Sequence, residues 1–309
     1  MEPPAAATAE DGPAAPLFGP FEQRAAGVSI FVFLLPFVLT LWLQARERKA
    51  LRHRLSQDTK ERDEAPTAHL HPAALSSSSS SSWSSATGPQ LRALQVRQTR
   101  ALAWIVTLVA SVVETAFGAY AVATVLLPFG YDHAVLYVDR PWCRALLVFF
   151  FTSLLLDLGL GLAFYRSHLH PLTGWLHHVV YMLFVATLLR TRASLALTCV
   201  MVEELPTALL GAGQVFPALR HDLAFGVSFF LTRLLYHGWY LANIVFVSLR
   251  ATPLHAAVLP SVAAAALALG LHVMWFSQWC KNMRKYFAIA QDRKRRVPVY
   301  DLTDKLKAS

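Results

Sequence analysis

Apolar residues in this chain gather in long blocks rather than alternating or recurring on one helical face. Seven blocks stand out: Gly27–Leu43, Ala101–Leu127, Trp142–Tyr165, Trp175–Leu189, Ala193–Gly213, Leu223–Val247 and His255–Trp279. At 1.5 Å of rise per residue, most are long enough as helices to cross a hydrocarbon core of ~30 Å. The first and fourth are short, and the fourth can extend back toward Leu169 through a polar lead-in. Lipid cannot satisfy open backbone groups, so the expected fold class is all-α: a multi-pass transmembrane helical bundle of about seven spans. The first block is read as a span, not a cleaved signal. Its leader carries Glu2, Glu10, Asp11 and Glu22 against a single Arg24, the opposite of a positive leader.

The polar stretches divide the chain further. Residues 1–26 read as a disordered lumenal N-terminus, rich in Ala and Pro over the first 20, and 27–43 as the first transmembrane helix. Residues 44–90 form a cytosolic linker. Within it Gln44–Asp63 is charged and can continue the first helix, while Glu64–Pro89 contains the run Ser76–Ser82 and cannot bury a core. Residues 91–287 are the expected compact six-helix unit, with the first span tethered to it, and 288–309 a basic cytosolic tail.

Composition agrees with a membrane protein. The 309 residues are 55% hydrophobic, and the mean hydropathy is +0.41, too apolar for an ordinary soluble domain. Net charge is +9, but its distribution matters more than its size. About three quarters of the Lys and Arg fall in 44–100, 166–174, 214–222 and 280–309, which favours N-lumenal and C-cytosolic topology. The basic charge abuts apolar blocks and forms no single patch, so nucleic acid is not an expected partner and membrane lipids are. Lys305 and Lys307 fit a dilysine retrieval signal on a cytosolic tail, which implies the endoplasmic reticulum and a signal receptor as partner. Cys143, Cys199 and Cys280 have no metal-type spacing and no bridgeable pair. There is also no Gly-rich phosphate loop, no GxSxG elbow and no His pair at helical metal spacing, so neither a metal nor a redox cofactor is expected. A channel or receptor is disfavoured, because no repeated ring of charges appears.

Candidate chemistry lies in the polar residues inside the apolar blocks, since an intramembrane ionisable group is costly unless paired or wet. His177 and His178 are adjacent in the fourth block, about 100° apart on a helix, so only one can point fully inward. Tyr181 shares a face with either. A neutral imidazole can take a proton from a hydroxyl and return it to a leaving group, as acyl transfer requires. Glu203 and Glu204 fall mid-way through the fifth block, just before Pro206, which can open the helix locally. Glu204 could orient a histidine or clamp to Arg233. Arg233, Tyr236, His237 and Tyr240 form a polar stripe on the sixth block. Arg233 could bind a phosphate or carboxylate, or act as counter-ion to Asp157 or Glu204. Thr107, Ser111, Glu114 and Gly118 suit close helix packing, and His272 reads as a packed histidine.

A family resemblance rests on five motifs in order. These are Phe149-Phe150-Phe151 with Asp157; Trp175-Leu176-His177-His178; Glu204 before Pro206-Thr207; Phe229-Phe230-Leu231-Thr232-Arg233; and Trp275-Phe276 before Lys281. Together they resemble the TLC-domain family of ceramide synthases and related multi-pass proteins of the endoplasmic reticulum, over about 91–287. The resemblance implies a six-helix TLC-type bundle around a membrane cavity, preceded by an extra helix. It also implies acyl transfer to or between lipids, with His177 and His178 in the transferring motif and acyl-CoA a co-substrate; on the reading of the residues themselves, Glu204 joins them as a catalytic residue by orienting a histidine. Asp157, Arg233, Tyr181, Tyr236 and His237 would bind substrate. Ceramide synthases follow the histidine pair with a His-Asp and a second Asp, where this chain has Val202-Glu203-Glu204-Leu205-Pro206. It is therefore more similar to the TLC-domain-containing branch, whose members affect phospholipid composition. The competing expectation is a non-catalytic lipid-binding or cargo-handling protein that regulates that composition.

Overall fold

The computed structural model describes residues 18–64, 84–169, 171–250 and 257–296. The N-terminal segment to residue 17, the run Ser76–Ser82, His170 and the terminal Lys305 and Lys307 lie outside the described residues. Among the described residues every regular element is helical, and consecutive segments abut into seven rods, with short helical turns at His133–Leu136, Arg166–His168 and Pro217–Leu219 between them. The rods are α1 (Pro20–Glu64), α2 (84–129), α3 (Pro141–Phe164), α4 (171–190), α5 (Ser194–Val215), α6 (222–248) and α7 (Val258–Arg296). Five stretches are long and apolar enough to cross a membrane: Pro20–Gln57, Leu91–Phe129, Pro141–Phe164, Ser194–Val215 and Val258–Ile289. The architecture is that of a multi-pass membrane protein. The two rods outside that group, α4 and α6, carry His177, His178, Arg233 and His237.

Rod boundaries follow local chemistry. Pro141 occupies the first turn of α3, where no intrahelical N–H is needed. α2 stops at Gly130, whose φ of 67° closes the helix in the left-handed region that glycine enters without a side-chain clash. Four rods are not uniform. α2 widens to a π-helix over Val122–Leu126, α4 opens with one over Pro171–Leu176, and α6 contains one over Phe230–Tyr236. α5 tightens to a 3-10 turn over Met201–Glu204, immediately before Pro206. Departures from α geometry of this kind often mark functional positions: the π turn of α4 leads directly into the paired histidines, that of α6 contains Arg233, and the 3-10 turn of α5 contains the paired glutamates.

The sequence places the first helix on a long tether, and α1 is packed against the rest of the bundle. Ser29, Phe33, Phe37 and Gln44 are all buried along one side of α1. Phe33 meets Phe149 at 4.6 Å between ring centroids and Phe37 meets Phe164 at 5.4 Å. Gln44 Nε2 donates to the Gln98 carbonyl at 2.9 Å, and Arg144 binds Glu22 on α1 and Asp139 together. The opposite side of α1 exposes Val28, Phe31, Leu35, Val38 and Trp42, as a lipid-facing surface must.

The densest part of the core lies toward the α4–α5 turn, where Leu147, Leu188, Leu189, Leu195 and Cys199 are fully or almost fully buried. Gly118 on α2 touches the backbone of Met201 and Val202 so closely that a methyl group there would overlap it. That contact brings α2 against the 3-10 turn and sets Glu114 beside the glutamates, in a way a larger residue would prevent.

Candidate functional site

A cavity of about 590 Å³ opens between α2, α3, α4, α5, α6 and α7. Its wall contains Glu114, Asp157, His177, His178, Tyr181, Glu204 and Arg233, and toward one end Tyr165, His168, Gln278 and Asn282. Of the eight positions expected to form the site, six line this one space: Asp157, His177, His178, Tyr181, Glu204 and Arg233.

Two rods position the histidine pair. The π-helical turn Pro171–Leu176 ends where His177 begins, so the ring directions at the start of the α segment are set by that wider turn. His178 Nε2 lies 3.0 Å from Asp157 Oδ2 on α3. The other carboxylate oxygen, Oδ1, accepts a 2.6 Å hydrogen bond from the Tyr165 hydroxyl. Since Nε2 faces a carboxylate it carries a proton, and Nδ1 of the neutral ring is a lone pair. That Nδ1 is buried without a hydrogen-bond partner. Tyr165, Asp157 and His178 thus form a donor–carboxylate–imidazole series that fixes tautomer and ring orientation and leaves one basic nitrogen unused. His177 points elsewhere: its ring packs on Tyr181 at 4.5 Å and reaches Trp275 at 6.4 Å.

The glutamates split between two partners. Arg233 donates from one terminal nitrogen to both Glu204 oxygens, at 3.0 and 3.1 Å, and to Thr207 Oγ1 at 2.7 Å. Its Nε donates to the Glu203 carbonyl at 2.9 Å, and its guanidinium lies 5.5 Å from the Phe229 ring centroid. Arg233 is therefore the counter-ion of Glu204, not of Asp157. Glu204 is the carboxylate on the arginine, and Asp157 is the one on a histidine. Glu203 turns away from the cavity and meets His237 Nδ1 at 2.7 Å. Glu114 is buried in the cavity wall with its Oε1 unpartnered.

Two expected substrate-binding residues lie outside the polar cavity. The Tyr236 hydroxyl donates to the Cys199 carbonyl at 2.9 Å, an interhelical clamp. His237 instead lines a second, apolar cavity of about 260 Å³, bounded also by Tyr137, Val180, Phe184, Tyr240, Ala264 and Ala268. The two cavities share His177 and Tyr181 in their walls. Tyr165, Thr207 and Trp275 join the site without having been singled out for it. Tyr165 was visible only as a polar aromatic residue at a span end, while Thr207 and Trp275 stood only as members of the family motifs with no role of their own.

The arrangement can orient a base, hold an anionic or carbonyl group near Arg233, and accept an apolar chain beside His177. Compared with models of protein families, with curated proteins and with solved structures, the chain gives no match.

Proposed function

We propose that this protein is a lipid acyltransferase of the TLC-domain type. In this reading it has seven spans, resides in the endoplasmic reticulum, and keeps its N-terminus lumenal and its C-terminus cytosolic. The observation that carries the reading is the Tyr165–Asp157–His178 series in the wall of a polar cavity that shares His177 and Tyr181 with an apolar one.

An acyl chain lies in the apolar cavity, with its carbonyl carbon beside His177 and the polar acceptor in the larger space. His178, held by Asp157, removes a proton from the acceptor hydroxyl or amine as it attacks the carbonyl. The imidazolium, stabilised by the Asp157 carboxylate, then returns that proton to the departing group. The donor is acyl-CoA or a phospholipid; either enters from the end that carries His168, Gln278 and Asn282. Arg233, neutralised by Glu204, orients a phosphate or carbonyl through its remaining donors.

A second reading has its own support in the Arg233–Glu204–Thr207 cluster, which could hold a lipid headgroup without any chemistry. Lipid species in cells lacking the protein, restored with wild type or with His178→Ala at matched expression, separate the two. Failure of His178→Ala to restore a lipid class that wild type restores supports transfer. Equal restoration by both, with loss on Arg233→Ala, removes the enzyme reading in favour of lipid holding.

A further inference from the structure

Glu203, His237 and His272 come from three different rods, α5, α6 and α7, and each is only 4% exposed. One ligating atom of each lies within 4.8 Å of the other two. Each imidazole has one nitrogen committed to a backbone carbonyl: His237 Nε2 to Ala265 at 2.9 Å and His272 Nδ1 to Arg233 at 3.1 Å. A nitrogen facing a carbonyl must donate, so the outer nitrogen of each ring keeps its proton and the inner one is the nitrogen that can give up a proton to ligate. Histidines that bind metals are fixed in this way, with the outer N–H on a carbonyl and the inner nitrogen turned toward the other ligands.

The glutamate points to the same conclusion. Its Oε2 lies 2.7 Å from His237 Nδ1, which donates to it when the ring carries both protons; a bound cation takes the place of that inner proton. Its Oε1 is buried with no partner. Arg233 does not neutralise it, because that guanidinium takes the Glu204 carboxylate and only the backbone carbonyl of Glu203. Protonating His237 would satisfy Oε2 but would still leave Oε1 alone in an apolar interior.

We propose that Glu203, His237 and His272 bind one divalent transition ion of the zinc class. Two imidazole nitrogens and one carboxylate oxygen are a donor set that zinc takes at roughly 2.0–2.2 Å, with a fourth position left over. His237 also lines the apolar cavity, so the site lies at its edge. The ion joins α5, α6 and α7 beside, and separately from, the His177–His178 centre. It neither requires nor implies the acyl-transfer reading.

The test is metal content of the full-length protein purified in detergent without chelator, followed by stripping and titration with Zn²⁺ and Co²⁺. Wild type is expected to hold one zinc per chain, and Co²⁺ to give the visible absorption of a tetrahedral site. Glu203→Gln and His272→Gln should each weaken binding at least tenfold, while His53→Ala on the exposed part of α1 leaves it unchanged. Folded wild type that retains no ion after desalting from excess Zn²⁺ overturns the proposal, as does His272→Gln binding zinc like wild type. Should the two variants fail to fold, X-ray absorption of the wild-type zinc decides: two imidazole ligands are expected, and a spectrum without them overturns it.

Discussion

Two histidine–carboxylate pairs sit in this bundle, and they are built for different tasks. His178 and Asp157 meet at the wall of a large cavity, with Tyr165 on the second carboxylate oxygen and one ring nitrogen unengaged. His237 and Glu203 meet between three rods, with both ring nitrogens engaged and one carboxylate oxygen left alone. In the first pair the carboxylate is satisfied and the base is free, which suits proton transfer. In the second the base is occupied and the carboxylate is under-satisfied, which suits holding a cation. Distance alone does not separate them, at 3.0 and 2.7 Å; the rest of each group's hydrogen bonding does.

The largest effect should come from the first pair. Asp157→Asn keeps the shape but permits the wrong tautomer, and lipid transfer measured in membranes should fall by about 10²–10⁴-fold. Turnover equal to wild type would remove the distinction between the pairs.

Arg233→Leu comes next, and it acts on stability. It leaves the partly buried Glu204 without its cation, for an expected loss of roughly 1–3 kcal/mol, read as a lower unfolding midpoint in detergent. The double variant Arg233→Leu/Glu204→Leu should recover much of that loss, because no unpaired charge remains. A double variant as unstable as the single one would mean that the ion pair is not what matters.

Gly118→Val probes the seat of the second pair. The added side chain must displace the Met201–Val202 backbone and with it the turn that carries Glu203 and Glu204. Overpacking of this kind costs typically 1–3 kcal/mol, and thermal unfolding of Gly118→Val beside Gly118→Ala measures it. An unchanged midpoint for the valine variant would show that α2 can move away freely.

The smallest effect sharpens the comparison most. Tyr165→Phe removes one hydrogen bond to Asp157 and nothing from the second pair. Turnover should fall about tenfold, as expected for a charge-assisted bond worth roughly 1.5 kcal/mol, with the unfolding midpoint little changed. A loss as large as that of Asp157→Asn would instead make the tyrosine a direct participant.

Much of the helical architecture could be read in advance, because apolar block length is a local property. All seven blocks fall within rods apart from short flanks, and the charged continuation of the first helix runs to Glu64. The docking of α1 could not be read. Phe33 and Phe37 look no different in sequence from Phe31 or Leu35, and only the position of α3 decides which side is buried. His272 was taken as packed because it stands alone in its block. Its neighbours Glu203 and His237 arrive from other rods, beyond the reach of any spacing rule.

The sequence by itself determined the solvent of this protein. Long apolar blocks can remain only in lipid or in a large core, and their helices must close their own backbone hydrogen bonds. It also determined which residues had to find partners, since each buried charge is too costly to leave alone. What only the tertiary structure decided is who those partners are. Asp157 went to His178, Glu204 to Arg233 and Glu203 to His237. Any of these carboxylates could have met any of these bases as judged by charge, and the choice depended on how each rod is rotated about its axis. That rotation comes from contacts such as Gly118 on the Met201–Val202 backbone and Phe33 on Phe149, which join residues far apart in the chain.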